Sequence, residues 1–213
     1  MAKVLILGAH GQIARLATAQ LLEATPHDLV LFLRNAQRLD VQDTKRETVI
    51  DGDVLDTQAL ERALQGVDIV YANLGNAKIE AQAQSVVTAM QHAKVARLIW
   101  ISTLGIYDEV PGKYGQWNHQ MLDGGYLETY SAAAKVIETS DLDYTIIRPA
   151  WLSNKNVVNY ETTEKGEAFK GTEVSRKSVA DLVVRLINDP SQHIRASLGV
   201  DQPGTDGDRP SFY

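Results

Sequence analysis

Short apolar runs alternate with amphipathic stretches along most of the chain. Val4-Leu5-Ile6-Leu7 is a continuous apolar run, as a strand buried on both faces requires. Behind it Ile13, Leu16, Ala17 and Leu21 recur at helical spacing. Asp28 to Leu33 and Glu47 to Asp51 read as a second and third strand. Asp56 is placed to cap a helix with apolar positions Leu60, Ala63 and Leu64. Val67 to Ala72 and Arg97 to Ser102 read as strands on either side of a helix with Ala83, Val86, Val87 and Met90 on one face. Glu128 to Ser140 reads as a helix with Ala132, Ala133, Val136 and Ile137 inward, and Asp143 to Arg148 as a sixth strand.

The pattern breaks twice. Leu104 to Leu127 carries Pro111, Gly112, Gly115, Gly124 and Gly125 among aromatic residues, which predicts a long irregular loop. Asn154 to Thr172 is polar, and Lys165-Gly166 suggests a turn between two short extended pieces. Ser178-x-x-Asp181 has capping-box spacing and predicts a helix with Val179, Leu182, Val183, Leu186 and Ile187 inward, ending near Asp189-Pro190. Ile194 to Val200 reads as a last strand. The tail from Asp201 is rich in Pro, Gly and Asp, so it is expected to lie over the surface or to be disordered.

Strands alternating with helices predict an α/β protein with a doubly wound parallel sheet of the Rossmann type. Right-handed crossovers put the strand ends along one edge. At 213 residues the chain suits one domain, residues 1–213, with a small C-terminal substrate cap over about 151–177.

Candidate chemistry starts at the first strand. Gly8, Gly11 and Ala14 stand between strand and helix in Gly-x-x-Gly-x-x-Ala spacing. Such a turn lets a pyrophosphate approach the backbone and the helix N-terminus, which predicts a dinucleotide held by Gly8, His10, Gly11, Gln12 and Ile13. The second strand ends in Arg34-Asn35, with Arg38 beyond. An acid there favours a free 2′-hydroxyl, whereas Arg accommodates a 2′-phosphate, so the reading leans to NADP with NAD still possible. Asp53 after the third strand is open to two roles, accepting from an adenine amine beside the Val54 main chain or bonding local backbone. Asn73-Leu74-Gly75 ends the fourth strand in a turn that a cofactor can approach, and Ser102-Thr103 puts hydroxyls above the fifth.

Composition narrows the class. Hydrophobic content of 44% and charged content of 23% are ordinary for a globular protein, and a net charge of −6 argues against nucleic-acid or anionic-membrane partners. There is no cysteine, which excludes thiol catalysis and fits a reducing, cytoplasmic setting. No apolar run approaches a membrane span. A small-molecule substrate, no metal, and a monomer or homodimer are expected.

These residues together resemble the atypical short-chain dehydrogenase/reductase superfamily, more narrowly its NmrA-like NAD(P)-binding reductases. The resemblance rests on the glycine turn, Arg34-Asn35, Gly52-Asp53-Val54, Ser102-Thr103, Lys135, the run Leu142 to Pro149, and Ser175-Arg176 with Val179-Ala180-Asp181. It implies nicotinamide near Ser102, Lys135 and Pro149 to Leu152, Trp151 included. Catalytic members carry Tyr four residues before this Lys, on the same helix face. Here Ser131 holds that position, and Tyr130 lies roughly 140° round the helix from Lys135. Lys135, Ser102 and Tyr130 are the candidate catalytic residues. Tyr107, Trp117 and His119 are candidate substrate residues. A missing Tyr–Lys pair leaves two readings, hydride transfer to a flavin-, quinone- or carbonyl-like acceptor, or a dinucleotide sensor that turns nothing over. An epimerase or dehydratase ranks behind both.

Overall fold

A computed structural model describes every residue except Asp123. Its centre is an eight-stranded sheet. The strands in chain order are β1 (Lys3–Leu7), β2 (Asp28–Leu33), β3 (Glu47–Asp51), β4 (Ile69–Ala72), β5 (Arg97–Ile101), β6 (Asp143–Pro149), β7 (Trp151–Ser153), β8 (Glu161–Thr163), β9 (Glu173–Ser175) and β10 (Ala196–Asp201). The large sheet runs β3-β2-β1-β4-β5-β6-β10-β8, parallel except for the antiparallel β8 edge. A separate parallel pair joins β7 to β9. The chain order reverses between β1 and β4, the topological switch point where open α/β sheets bind ligands.

Helices cover both faces. α1 (Gln12–Ala24) packs with α6 (Arg176–Asn188) on one side; α2 (Thr57–Ala63), α3 (Ile79–Ala93) and α5 (Tyr126–Glu138) pack on the other. Two apolar layers result. One joins Ile6, Ala17 and Leu21 to Val183 and Leu198; the other joins Leu7, Val70 and Trp100 to Val86, Met90 and Ile137. Both faces of β1, β4 and β5 are buried, as their unbroken apolar runs require.

Four expectations are corrected. The stretch after β5 is not all loop, because α4 (Gly112–Leu122) forms there and buries Tyr114, Gly115 and Asn118. Gly115 is required at that place by close packing, since a Cβ would lie 2.1 Å from the Val110 carbonyl oxygen. The cap of α6 is Ser175, whose Oγ accepts from Ser178 N; Ser178 is already inside the helix and Asp181 instead pairs with Arg185 and Tyr160. Leu16 is exposed, and Thr18 takes the inward position. On α5 the inner face is Leu127, Tyr130, Ala133, Ala134 and Ile137, leaving Ala132 and Val136 half-buried. The tail follows the first of its two expectations. Thr205 bonds Thr172, and Tyr213 packs edge-on against Trp117 and Trp151.

The turn from β5 is held by a buried ion pair. Arg148 on β6 is fully buried and pairs with the almost fully buried Glu109. Arg148 Nε also donates to Ser197 Oγ at 3.0 Å and Nη2 to the Ser197 carbonyl at 3.1 Å. Glu109 in turn accepts from the backbone N–H groups of Gly105 and Tyr107. That network ties residues 105–109 to β6 and β10, beside the site.

Candidate dinucleotide and substrate cleft

Two cavities lie along the carboxyl edge of the sheet. The first, about 280 Å³, spans the ends of β1 to β4 and is lined by Gly8, Gly11, Arg34, Asp53, Asn73 and Gln82 among others. Gly8 has φ +73, and a Cβ on it would stand 2.3 Å from the Asn73 carbonyl oxygen. A Cβ on Gly11 would stand 1.9 Å from Asn73 Nδ2. The glycines therefore admit the β4 turn as well as a ligand. Gly11 precedes α1 with extended backbone and no side-chain cap, so the first-turn N–H groups remain available to an anion.

At the outer end Arg34 Nη1 lies 3.7 Å from Asp53 Oδ2, and both side chains are largely exposed. Arg38 Nη2 donates to the Arg34 carbonyl at 3.2 Å. Asp53 Oδ1 accepts from Leu55 N at 3.0 Å, so the local backbone role is filled while Oδ2 faces the cavity cation. Asp51 accepts from the N–H groups of Asn35 and Ala36, which holds Asn35 in the left-handed region at φ 56. Asp51 thus shapes the turn that presents Arg34.

The second cavity, about 310 Å³, lies beyond β5 and β6. Its walls include Ser102, Thr103, Tyr126, Trp151, Arg176 and Phe212. Ser102 Oγ is buried and has no hydrogen-bond partner among the described residues. Trp117, Trp151 and Tyr213 form an aromatic cluster at centroid separations of 4.8 to 5.2 Å. Trp151 Nε1 donates to the fully buried Asn118 at 3.0 Å, which fixes the indole. Tyr126 stacks on Tyr130 at 4.5 Å. The Tyr130 hydroxyl would be 2.9 Å from a Cβ on Gly75, at the inner end of the first cavity. Burial pushes the Tyr130 phenol up, and the neighbouring Tyr126 phenol adds to the shift.

This arrangement fits a dinucleotide: a glycine cradle, a helix N-terminus and a cationic rim share one groove. Comparison with known families agrees. The model of a family described as NAD(P)H-binding matches residues 8–190. The chain belongs to that NAD(P)H-binding family.

Solved structures extend the likeness. A Rossmann-fold NAD(P)-binding family protein from Shigella flexneri is 43% identical, with all of both chains covered and a TM-score of 0.86. A short-chain dehydrogenase/reductase (wide type) from Veillonella parvula, solved in complex with NADP, is 31% identical over 99% of each chain with a TM-score of 0.93. Among curated proteins, one described as an uncharacterized sugar epimerase from Bacillus subtilis is 23% identical, covering 91% of this chain and 92% of its own.

In this NAD(P)H-binding protein ten of the expected cofactor residues line the first cavity: Gly8, His10, Gly11, Arg34, Arg38, Asp53, Val54, Asn73, Leu74 and Gly75. Gln12 and Ile13 begin α1 instead, with Ile13 in the core, and Asn35 is a turn residue behind Arg34. Ser102, Thr103, Pro149, Trp151 and Leu152 line the second cavity.

Four expected site residues lie elsewhere. Lys135 is exposed on α5 and lines neither cavity. The reason is helical phase: burying Tyr130 and Ala134 against α3 turns Lys135 to solvent. Tyr107 is engaged with Glu138 at 2.6 Å and with Ser197 at 3.2 Å, its ring under the Arg148 guanidinium. His119 Nε2 is 3.3 Å from Asp108 Oδ1, outside both cavities. Trp117 supports Trp151 and Tyr213 from behind rather than lining the cavity.

Gln82 is one residue that the sequence reading missed, as it missed Tyr126, Arg176 and Phe212 at the second cavity. Gln82 is buried on α3, its Oε1 has no partner among the described residues, and it lines the first cavity. The available signal was its phase: a polar residue on the stripe formed by Ile79, Ala83, Val86 and Met90.

Proposed function

We propose that this protein is an NADP(H)-preferring reductase that delivers hydride to a flat acceptor in the second cavity. The observation that carries the cofactor preference is the Arg34–Arg38 rim at the end of β2, where no carboxylate occupies the position that would select a free 2′-hydroxyl. Arg34 exchanges its long 3.7 Å contact with Asp53 for a 2′-phosphate, a geometry that a guanidinium fork matches. Gly8, Gly11 and the first turn of α1 take the pyrophosphate, and Gln82 and Asp53 are the acceptors at the adenine end. A relative solved with NADP supports the choice.

The nicotinamide ring, when bound, supplies the hydride. Ser102 Oγ, buried without a partner, orients the nicotinamide amide or the acceptor oxygen. Aromatic walls around Trp151 favour a planar acceptor. Tyr130 keeps its proton, because burial raises its pKa and Lys135 is turned away. A quinone- or flavin-like acceptor suits such a site, because it accommodates charge itself and takes its proton from solvent. The exposure of Lys135 also weighs against epimerisation, which needs a positioned acid/base pair. The same observation favours one second reading, a dinucleotide sensor without turnover.

Fluorescence titration with NADPH and NADH, repeated on Arg34→Ala, tests the cofactor reading. NADPH should bind more tightly in the wild type, and the variant should lose about tenfold for NADPH with little change for NADH. Equal affinities that ignore the substitution would remove Arg34 from the site. NADPH oxidation with quinone and flavin acceptors then separates the reductase from the sensor.

A further inference from the structure

Among the described side chains that wall the second cavity, Arg176 is the one that carries a formal charge. Arg176 also lines an adjoining recess of about 210 Å³, together with Lys155, Lys177 and the polar residues Ser153, Asn154 and Asn156. No Asp or Glu lines either space among the described residues. The contrast with a chain of net charge −6 is local and marked.

The two lysines are engaged. Lys155 Nζ is 2.5 Å from Glu173 Oε1, and Lys177 Nζ is 2.8 Å from Asn156 Oδ1. Arg176 differs. Its Nη1 donates to the Leu152 carbonyl at 3.1 Å and to Asn154 Oδ1 at 2.9 Å. Both acceptors are neutral, and no carboxylate of the described residues pairs with it. The Nε–Nη2 edge makes no hydrogen bond there. That edge is the side of a guanidinium that receives two oxygens of one anion in parallel.

Three features therefore converge. Arg176 is half-buried, so its charge is partly desolvated without a counter-ion, a cost that an anion removes. It is anchored through Nη1, so its unused edge is already oriented. In the adjoining recess Ser153 is buried with no partner for Oγ among the described residues, a further donor near Arg176.

We infer that Arg176 recognises an anionic group, a carboxylate or a phosphate ester, on the substrate whose planar part occupies the Trp151–Phe212 cavity. The substrate class is a planar organic acid. This rests on the second cavity being the substrate site; it does not rest on the choice of cofactor.

Matched aromatic probes test it without cofactor or turnover. 2-Naphthoate, 2-naphthyl phosphate and the neutral 2-naphthamide share one ring system, and binding is read from quenching of Trp151 fluorescence or by calorimetry. At least one anion should bind about tenfold more tightly than the amide, and its affinity should fall with added KCl. Whichever anion leads identifies carboxylate or phosphate as the recognised group. Arg176→Gln should erase the preference while leaving 2-naphthamide binding within about twofold, and Arg176→Lys should keep part of it. Equal binding of all three probes, a preference that survives in Arg176→Gln, or no saturable binding of either anion at millimolar concentration would overturn the inference. If Arg176→Gln fails to fold, the wild-type comparison and its salt dependence decide. Anion preference in a protein that binds no NADPH would keep this inference and sink the reductase reading.

Discussion

A Cβ on Gly11 would stand 1.9 Å from Nδ2 of Asn73, the residue that follows β4. The contact joins the phosphate turn to the neighbouring strand end. Asn73 Nδ2 is the tip of a side chain and can be displaced, so Gly11→Ala should cost cofactor affinity more than stability. About a tenfold rise in the NADPH dissociation constant is expected, with the unfolding midpoint nearly unchanged. Gly8→Ala meets the Asn73 backbone oxygen at 2.3 Å with φ at +73, and should lose about 1–3 kcal/mol or more in urea unfolding. Wild-type stability in Gly8→Ala would contradict this geometry.

Gln82 offers the reverse balance. Its Oε1 is buried without a partner among the described residues, so Gln82→Leu removes an unsatisfied acceptor. Unfolding free energy should stay level or rise, while NADPH affinity falls about fivefold or more. An affinity unchanged by the substitution would take Gln82 out of the adenine end.

Lys135→Ala should do very little. The side chain is exposed and lines neither cavity. NADPH affinity and thermal midpoint are expected to match the wild type within about twofold and about 2 °C. A tenfold loss of affinity would bring Lys135 back to the nicotinamide, where the resemblance put it.

Breaking the buried pair between Arg148 and Glu109 should be expensive. Glu109→Ala leaves a fully buried guanidinium without its carboxylate, which costs about 3–5 kcal/mol. Chemical denaturation measures it directly. A loss below about 1 kcal/mol would show that solvent reaches Arg148 readily.

Asp201 sets a pH dependence. Burial pushes its carboxyl up to about 6, with the Gly171 N–H working against the shift. Unfolded, the group titrates near 3.9. Between these values the native state holds more protons than the unfolded state, so stability falls as pH rises from about 4 to about 6, by up to about 3 kcal/mol. Asp201→Asn should therefore raise the unfolding midpoint above pH 6 and give no gain near pH 4. An identical gain at both pH values would mean that the effect is packing rather than ionisation.

The alternation of apolar runs and helical stripes determined the sheet order's raw material. Strands such as Val4 to Leu7 and Asp28 to Leu33 are legible because both faces are buried, which leaves no polar position to blur the pattern. The position of Gly8, Gly11 and Arg34 on the first cavity was legible because it is local: it follows from what a backbone turn and a strand end can present. Phase around a helix was not legible in the same way. Lys135 and Gln82 occupy helices that the sequence announces, yet which one faces the groove depends on how α5 and α3 pack together. α4 was hidden because its glycines and Pro111 argue for a loop, and only burial of Tyr114 against the Thr172 carbonyl and of Asn118 against Trp151 outweighs that propensity. Tyr213 meeting Trp151, and Arg176 bonding the Leu152 carbonyl and Asn154, are long-range outcomes. Local propensity acts over a few residues, whereas the second cavity is assembled from the turn after β5, the ends of α4 and β6, the starts of α5 and α6, β7 and the tail, so only the tertiary structure decided it.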